Sequence, residues 1–223
     1  MALSTTRRAS LSDQVIAQLR AQITSGEWPV GSRIPTEAEL VEQLGVARNT
    51  VREAVRALAH NGLLDIRQGS GTYVLATSEL AGVMHRRFAD ADGAQVAELR
   101  ATLETAAAGL AALRRTDRDL ELLESTLARR DAAWHAGDPE DFVQTDAAFH
   151  QAVVAAAHNE VLAAVYADLG EVTRAHLRRD VGPELVPDRY LSHRGIIDGI
   201  RAGDAQLAST EAGRAIGACG QDS

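Results

Sequence analysis

Apolar positions recur at helical spacing through most of the chain, and the polar breaks between them mark the elements. Val15, Ile16, Leu19 and Ile23 share one face and predict a helix over Leu11 to Ser25, with Ser12 or Asp13 able to cap its start. A loop with Trp28 and Pro29 follows. Thr36, with Glu39 three residues on, has the spacing of a capping box and opens a second helix that Gly45 ends. Val51, Val55 and Leu58 define the buried face of a third helix over Arg48 to His60, closed by Asn61-Gly62. Two short runs, Leu63 to Ile66 and Thr72 to Leu75, flank Gln68-Gly69-Ser70-Gly71 and predict a hairpin. From Ala76 on, the pattern is almost purely helical. The segments are roughly 79–90, 94–114, 117–136, 139–157, 160–179, 187–202 and 204–217, split by Gly93, Thr116-Asp117, Gly137-Asp138-Pro139, His158-Asn159, Gly182-Pro183 and Gly203-Asp204. No fixed-period repeat is visible.

Two short helices meeting at a Gly-containing turn, followed by a two-stranded wing, form a winged helix-turn-helix. That layout places the N-terminus of the third helix in a DNA major groove. Composition then changes one point only. The net charge of −8 is unusual for a DNA-binding chain. Residues 1–75 hold eight arginines against seven acids, and the remainder holds fifteen against twenty-four, so the acidity sits outside the helix-turn-helix. Every basic residue is Arg. No apolar run approaches the ~20 residues of a membrane span, and the start, MALSTTRRASLSDQ, lacks the apolar core of a signal peptide. The single cysteine, Cys219, rules out a disulfide framework within the chain, and a reduced cytoplasm is expected.

The chemistry of DNA reading falls on particular side chains. Arg bonds guanine O6 and N7 bidentately, and Asn does the same for adenine N6 and N7. Arg48, Asn49 and Arg52 are such groups at the start of the third helix, and Thr50 suits a phosphate or a thymine methyl. Gln68 and Gly69 sit at the wing tip, where a glycine lets backbone approach the minor groove. Arg33 and Arg67 are expected phosphate contacts, which position a protein without specifying sequence. The stretch GSRIPTEAELVEQLGVARNTVREAVRALAHNGLLDIRQGSGTYV resembles the N-terminal domain of the GntR family of bacterial transcription regulators. The resemblance implies that Arg48, Asn49, Arg52 and Gly69 fall on DNA-contacting positions. Two residues depart from the family pattern. Ala38 stands where many members carry a phosphate-binding Arg, and Ala47 stands where a Ser would cap the third helix.

In the helical part, Asp146 and His150 are one turn apart on one helix face, a geometry suited to two ligands of one divalent ion. His193, expected in a later helix, could complete a three-ligand set. Taken singly, each His is more often a hydrogen-bonded or interfacial residue, and Phe149 reads as core. The segments AELRATLETAAAGLAA, DAAFHQAVVAAAHNEVL and HRGIIDGIRAGDAQLA resemble the all-helical C-terminal domain of the FadR-type subgroup of GntR regulators. That resemblance implies a divalent metal (zinc or nickel) held by an Asp and three His beneath an effector pocket. Asp146, His150 and His193 match three of the four positions, and Ala215 stands at the fourth. Two readings stay open: a three-ligand site completed by water, effector or Glu211, or a site without metal. Arg100 matches an Arg that the subgroup turns toward the pocket, which implies a small organic-acid effector. A pair between Arg100 and Glu104, four residues on, is the alternative. Arg174, His176 and Arg178 are further candidates.

The expectation is a mainly α protein with an N-terminal winged helix-turn-helix over residues 1–75 and a C-terminal antiparallel α-helical bundle over 76–223 for effector binding and dimerisation. It is a cytoplasmic, nucleoid-associated regulator, a repressor rather than an enzyme. A homodimer reads an inverted repeat in double-stranded DNA under control of a small carboxylate, with no membrane association. Alternatives are a pure metal sensor and a metal-dependent hydrolase or lyase built on Asp146, His150 and His193.

Overall fold

A computed structural model describes residues 10–217, so Cys219 lies outside the described residues. The chain forms two compact units, Met1–Arg86 and Arg87–Ser223. The first holds α1 (Leu11–Thr24), α2 (Glu37–Leu44), α3 (Arg48–His60), β1 (Leu64–Arg67), β2 (Gly71–Val74) and all but the last residue of α4 (Glu79–Arg87). Val15, Leu19, Ile23, Leu40, Val51, Val55 and Leu58 make its core, as their helical spacing requires.

Local chemistry accounts for the ends of these elements. Ser10, rather than Ser12 or Asp13, caps α1: its hydroxyl accepts from the Asp13 amide while the Asp13 carboxylate accepts from the Ser10 amide. Thr36 and Glu39 make the same reciprocal pair at α2, and Gly45 ends that helix in the left-handed region at φ 64°. Ala47 has extended backbone (φ −64°, ψ 145°) at the start of α3 but no side-chain cap. Ala47→Ser is therefore expected to raise stability by about 1 kcal/mol, read as an upward shift of the urea midpoint with unchanged slope. β1 and β2 pair antiparallel from Leu64 opposite Val74 to Arg67 opposite Gly71.

The first unit runs past Leu75, where the apolar pattern of the wing ends, because α4 is tied back to it. Glu79 accepts from Asn61 Nδ2 at 3.1 Å and pairs with Arg20 at 2.7 Å. A Cβ on Gly82 would collide with the Gly62 carbonyl, so the two backbones touch directly.

The second unit is a helical bundle: α5 (Gly93–Arg114), α6 (Asp117–Ala136), α7 (Pro139–Ala155), α8 (Glu160–Asp168), α9 (Gly170–Val181), α10 (Arg194–Ala202) and α11 (Ala205–Gly217). Its main core joins Ala108, Ala111 and Ala112 of α5 to Ala208, Ala212 and Ala215 of α11, with Phe149 and the isoleucines of α10. Small residues let these helices approach closely; a Cβ on Gly199 would lie 2.6 Å from the Ala208 amide.

Two expected helices differ in the structure. The 160–179 segment breaks at Leu169, where helix-weak Gly170 opens α9. The 187–202 segment is a single 3-10 turn at Pro187–Arg189 followed by extended backbone at Tyr190 (ψ 126°), and α10 begins only at Arg194. His193 is thus the N-cap residue of α10, not a residue within a helix. No helix among the described residues is long and apolar enough to cross a membrane.

Candidate functional site: a recognition helix and a buried ion-pair cluster

In the first unit, Arg48, Asn49, Thr50 and Arg52 all lie in the first two turns of α3. Arg48 and Asn49 are exposed, and Thr50 and Arg52 are half-buried. Glu37 of α2 reaches both arginines. It accepts from Arg52 Nη2 at 3.2 Å and lies 3.7 Å from Arg48 Nε. Val51 and Val55 anchor the opposite face of α3, which fixes the outward direction of the polar side chains.

Gln68 and Gly69 form the exposed wing tip, and Gly69 sits at φ 77°. Arg67 stacks over the Tyr73 ring at 4.3 Å and pairs with Asp65. Arg33 is placed by backbone pairing. Ile34 N–H donates to Thr72 at 2.9 Å, Val74 N–H donates to Ser32 at 2.9 Å, and the Arg33 guanidinium lies across Gly71. Recognition helix and wing thus present polar and cationic side chains from one unit.

The second unit buries an ionic cluster. Asp146 and His150 face inward from α7, and His193 meets them from the start of α10. Ligand-capable atoms of the three lie within 4.8 Å of one another. Arg100 and Glu104 enter from α5, paired at 2.7 Å as their spacing of four predicts, and Arg100 also reaches Asp146 at 3.4 Å. Arg100 is therefore paired with Glu104, the alternative to an effector contact, and it also lines the cavity beside Asp146. Arg130 of α6 is equally buried. Its Nε donates to Asp146 Oδ1 at 2.8 Å, its Nη1 donates to the Leu191 carbonyl at 3.3 Å, and its guanidinium lies 5.0 Å from the Phe142 ring.

Sequence reasoning missed Arg130. In the chain it is one of several arginines in a charged helix, and only packing of α6 on α7 buries it. It also took Glu104 only as a partner of Arg100. Glu104 in fact accepts from Tyr166 Oη at 2.6 Å and lies against His150 Nδ1, off the line of a good hydrogen bond. Arg174 and Arg178 pair with Glu171 and Glu140, and His176 packs against Gly93. Glu211, the suggested replacement at the fourth metal position, pairs with Arg214 and is not among the convergent ligands.

Electrostatics follow from this packing. Burial alone would raise the Glu104 carboxyl, but Arg100 and His150 hold it down at about 2. Burial would likewise raise Asp146, and His150, Arg130 and Arg100 draw it well below the usual range. For His193, burial and Arg130 depress the imidazole to about 3, so it is neutral near pH 7. His150 shifts the other way, because Glu104 and Asp146 outweigh its burial.

The depressed His193 imidazole makes stability fall with acid. Between pH 6.5 and 3 the unfolded chain binds a proton there that the folded chain does not. Its contribution is intact above pH 6.5 and is lost as pH falls, by up to about 1.4 kcal/mol per unit. In EDTA, the unfolding midpoint is expected to drop steadily from pH 6.5 to 4.5, and His193→Asn is expected to flatten that slope. An unchanged slope in the variant would remove His193 from the account.

The cluster opens on a cavity of about 280 Å³ lined in part by Arg100, Arg130, Trp134, Tyr190 and Ala215. A divalent ion would be held there by Asp146, His150 and His193, and the histidine geometry suits one. His193 Nδ1 faces the Leu191 carbonyl at 2.9 Å and His150 Nδ1 faces Glu104, which leaves both Nε2 atoms for the site. The carboxylate does not suit one. Both Asp146 oxygens are already engaged by guanidinium groups, and the fourth position is the Ala215 methyl. The residues present therefore do not fit a divalent ion as they stand.

Comparison with known proteins matches both units. Residues 11–74 match the family described as bacterial regulatory proteins, gntR family, and residues 95–217 match the FCD domain. The galactonate operon transcriptional repressor of Escherichia coli (strain K12) is 31% identical over 90% of this chain and 91% of its own length. A second protein of the same organism, whose assigned role is regulation of the L-lactate dehydrogenase operon, is 32% identical over 89% of this chain and 80% of its own. Among solved structures, Streptococcus agalactiae GntR aligns with a TM-score of 0.54 at 30% identity, covering 96% of this chain and all of that one.

Proposed function

Because this chain belongs to the gntR family of bacterial regulatory proteins, with an FCD domain as its second half, we propose that it represses a catabolic operon and releases the operator when a small carboxylate enters the second unit. The family consists of DNA-binding transcription regulators, not enzymes. The observation that carries the effector reading is the pair of buried guanidinium groups, Arg100 and Arg130, beside a cavity of about 280 Å³. Buried arginine is the side chain best matched to a carboxylate, which it binds bidentately. The cavity lies at the small end of the ligand range, which suits a hydroxy acid or sugar acid rather than a long acyl chain. The two relatives whose names refer to galactonate and L-lactate operons point to the same class. The protein works in the cytoplasm as a homodimer whose two α3 helices read the half-sites of an inverted repeat.

The test is operator binding with and without effector. DNA selected from random sequence by the purified chain should contain an inverted repeat. D-galactonate or L-lactate, or a close analogue, should lower its affinity at least about tenfold, the usual scale of coupling between sites. If no hydroxy acid or sugar acid changes operator affinity, the effector reading fails while DNA binding stands. A response to zinc or nickel alone would instead favour a metal sensor.

A further inference from the structure

We propose that Arg130 holds the place a divalent ion would occupy, so that this chain binds its effector through guanidinium groups alone and without metal. The inference rests on the carboxylate-effector reading above and adds how the carboxylate is held.

The first reason is the state of Asp146. An ion bound by Asp146, His150 and His193 needs a carboxylate oxygen that it can approach without meeting another cation. Oδ1, the oxygen 3.6 Å from His150 Nε2, already accepts from Arg130 Nε at 2.8 Å. Oδ2 faces Arg100 Nη2 at 3.4 Å. A dication would have to displace Arg130 or sit next to its charge.

The second reason is charge balance. Among the described residues, the buried acids are Glu104 and Asp146, and the buried arginines are Arg100 and Arg130. Both acids are shared with these guanidinium groups, and a divalent ion would be a further positive charge beside them, where like charges repel.

The third reason is that Arg130 is held in place. The Leu191 carbonyl accepts from Nη1 and the Phe142 ring packs against the guanidinium, so it is a fixed group and not a surface side chain folded inward. Ala215 lines the same cavity and supplies no ligand atom opposite it.

The arrangement also says what the site does bind. The ion pairs with Glu104 and Asp146 use Nε and Nη2 of Arg100 and Nε of Arg130, while Arg130 Nη1 goes to Leu191 and Asp131. Both guanidinium groups also line the cavity, where one carboxylate of a ligand would meet them, and the apolar wall of Trp134, Leu177 and Tyr190 would cover its carbon skeleton.

The test uses the full chain, loaded with zinc or nickel, dialysed and analysed for metal. Wild type is expected to retain no stoichiometric ion, and Ala215→His alone to remain metal-poor because the Arg130–Asp146 pair persists. The double variant Arg130→Met/Ala215→His is expected to take up about one ion per chain, since it frees Asp146 and adds an imidazole. In a Trp28→Phe background, Trp134 fluorescence titrated with D-galactonate and L-lactate should give the same midpoint with and without EDTA. A stoichiometric ion in wild type, or loss of the carboxylate response in EDTA, overturns the proposal. Should the double variant not fold, the wild-type and Ala215→His metal contents still decide it. Absence of any fluorescence response, with or without zinc, would count against the effector reading while the metal contents decide this one.

Discussion

Asp146→Ala is expected to destabilise the second unit by about 3–5 kcal/mol, the scale for removing one partner of a buried ion pair. Asp146 is the buried carboxylate that answers Arg130, at 2.8 Å (Asp131, its other acid, is half-exposed), and it shares Arg100 with Glu104. Its removal leaves two buried guanidinium groups facing a single carboxylate. At this chain length that is a fall of roughly 10 °C in Tm, measured by thermal unfolding in EDTA with α3 and its core as an internal reference. Asp146→Asn is the sharper comparison, since it keeps the shape and removes only the charge. It should recover little of the loss, because an amide cannot compensate two cations. A cost below about 1 kcal/mol for either variant, the level of a surface pair, would show that water screens these groups and that they do not behave as a buried cluster.

Arg48→Ala should cost the next largest effect, on DNA. A bidentate contact from arginine to guanine is worth about 1–3 kcal/mol against the wrong base. Two copies reading two half-sites compound this, so operator affinity should fall by about two orders of magnitude or more, with preference lost mainly at one base of each half-site. Arg33→Ala is the control. It is the proposed phosphate contact beside the wing, so its loss should weaken all sequences alike and lower the salt slope by about one. Binding to selected and scrambled duplexes across a salt series separates the two. If Arg48→Ala weakens both duplexes equally, Arg48 is a phosphate contact and base reading falls to Asn49 and Arg52.

How far these sites could be read from the chain depended on where the determining interaction lay. α3 was legible to the residue, because Val51, Val55 and Leu58 mark its face and Asn61-Gly62 ends it within the same stretch. The capping box at Thr36 was visible for the same reason. Asp146 and His150 were visible as a pair because four residues make one turn. Arg130 was not: the residue types around it on α6 are those of a solvated face, and its burial comes from the packing of α6 against α7. His193 lies beside Asp146 and His150 as expected but was placed inside a helix, because Ile196, Ile197 and Ile200 carry helical spacing while α10 begins only at Arg194. Both misses share a cause. Periodicity reports which face of a local element is apolar, and it carries no record of what another element brings to that face.

Glu37 bears on how quickly the protein finds its target. It sits beside two of the side chains meant to read DNA, so the free protein carries its recognition arginines partly shielded. Random duplex, which offers mainly phosphate charge, meets a weakened attraction there. A guanine edge offers two aligned acceptors, and that geometry can outcompete a carboxylate at 3.7 Å from Arg48. Glu37→Gln is therefore expected to lengthen residence on random duplex more than on the operator, which stopped-flow dissociation from the two duplexes would measure.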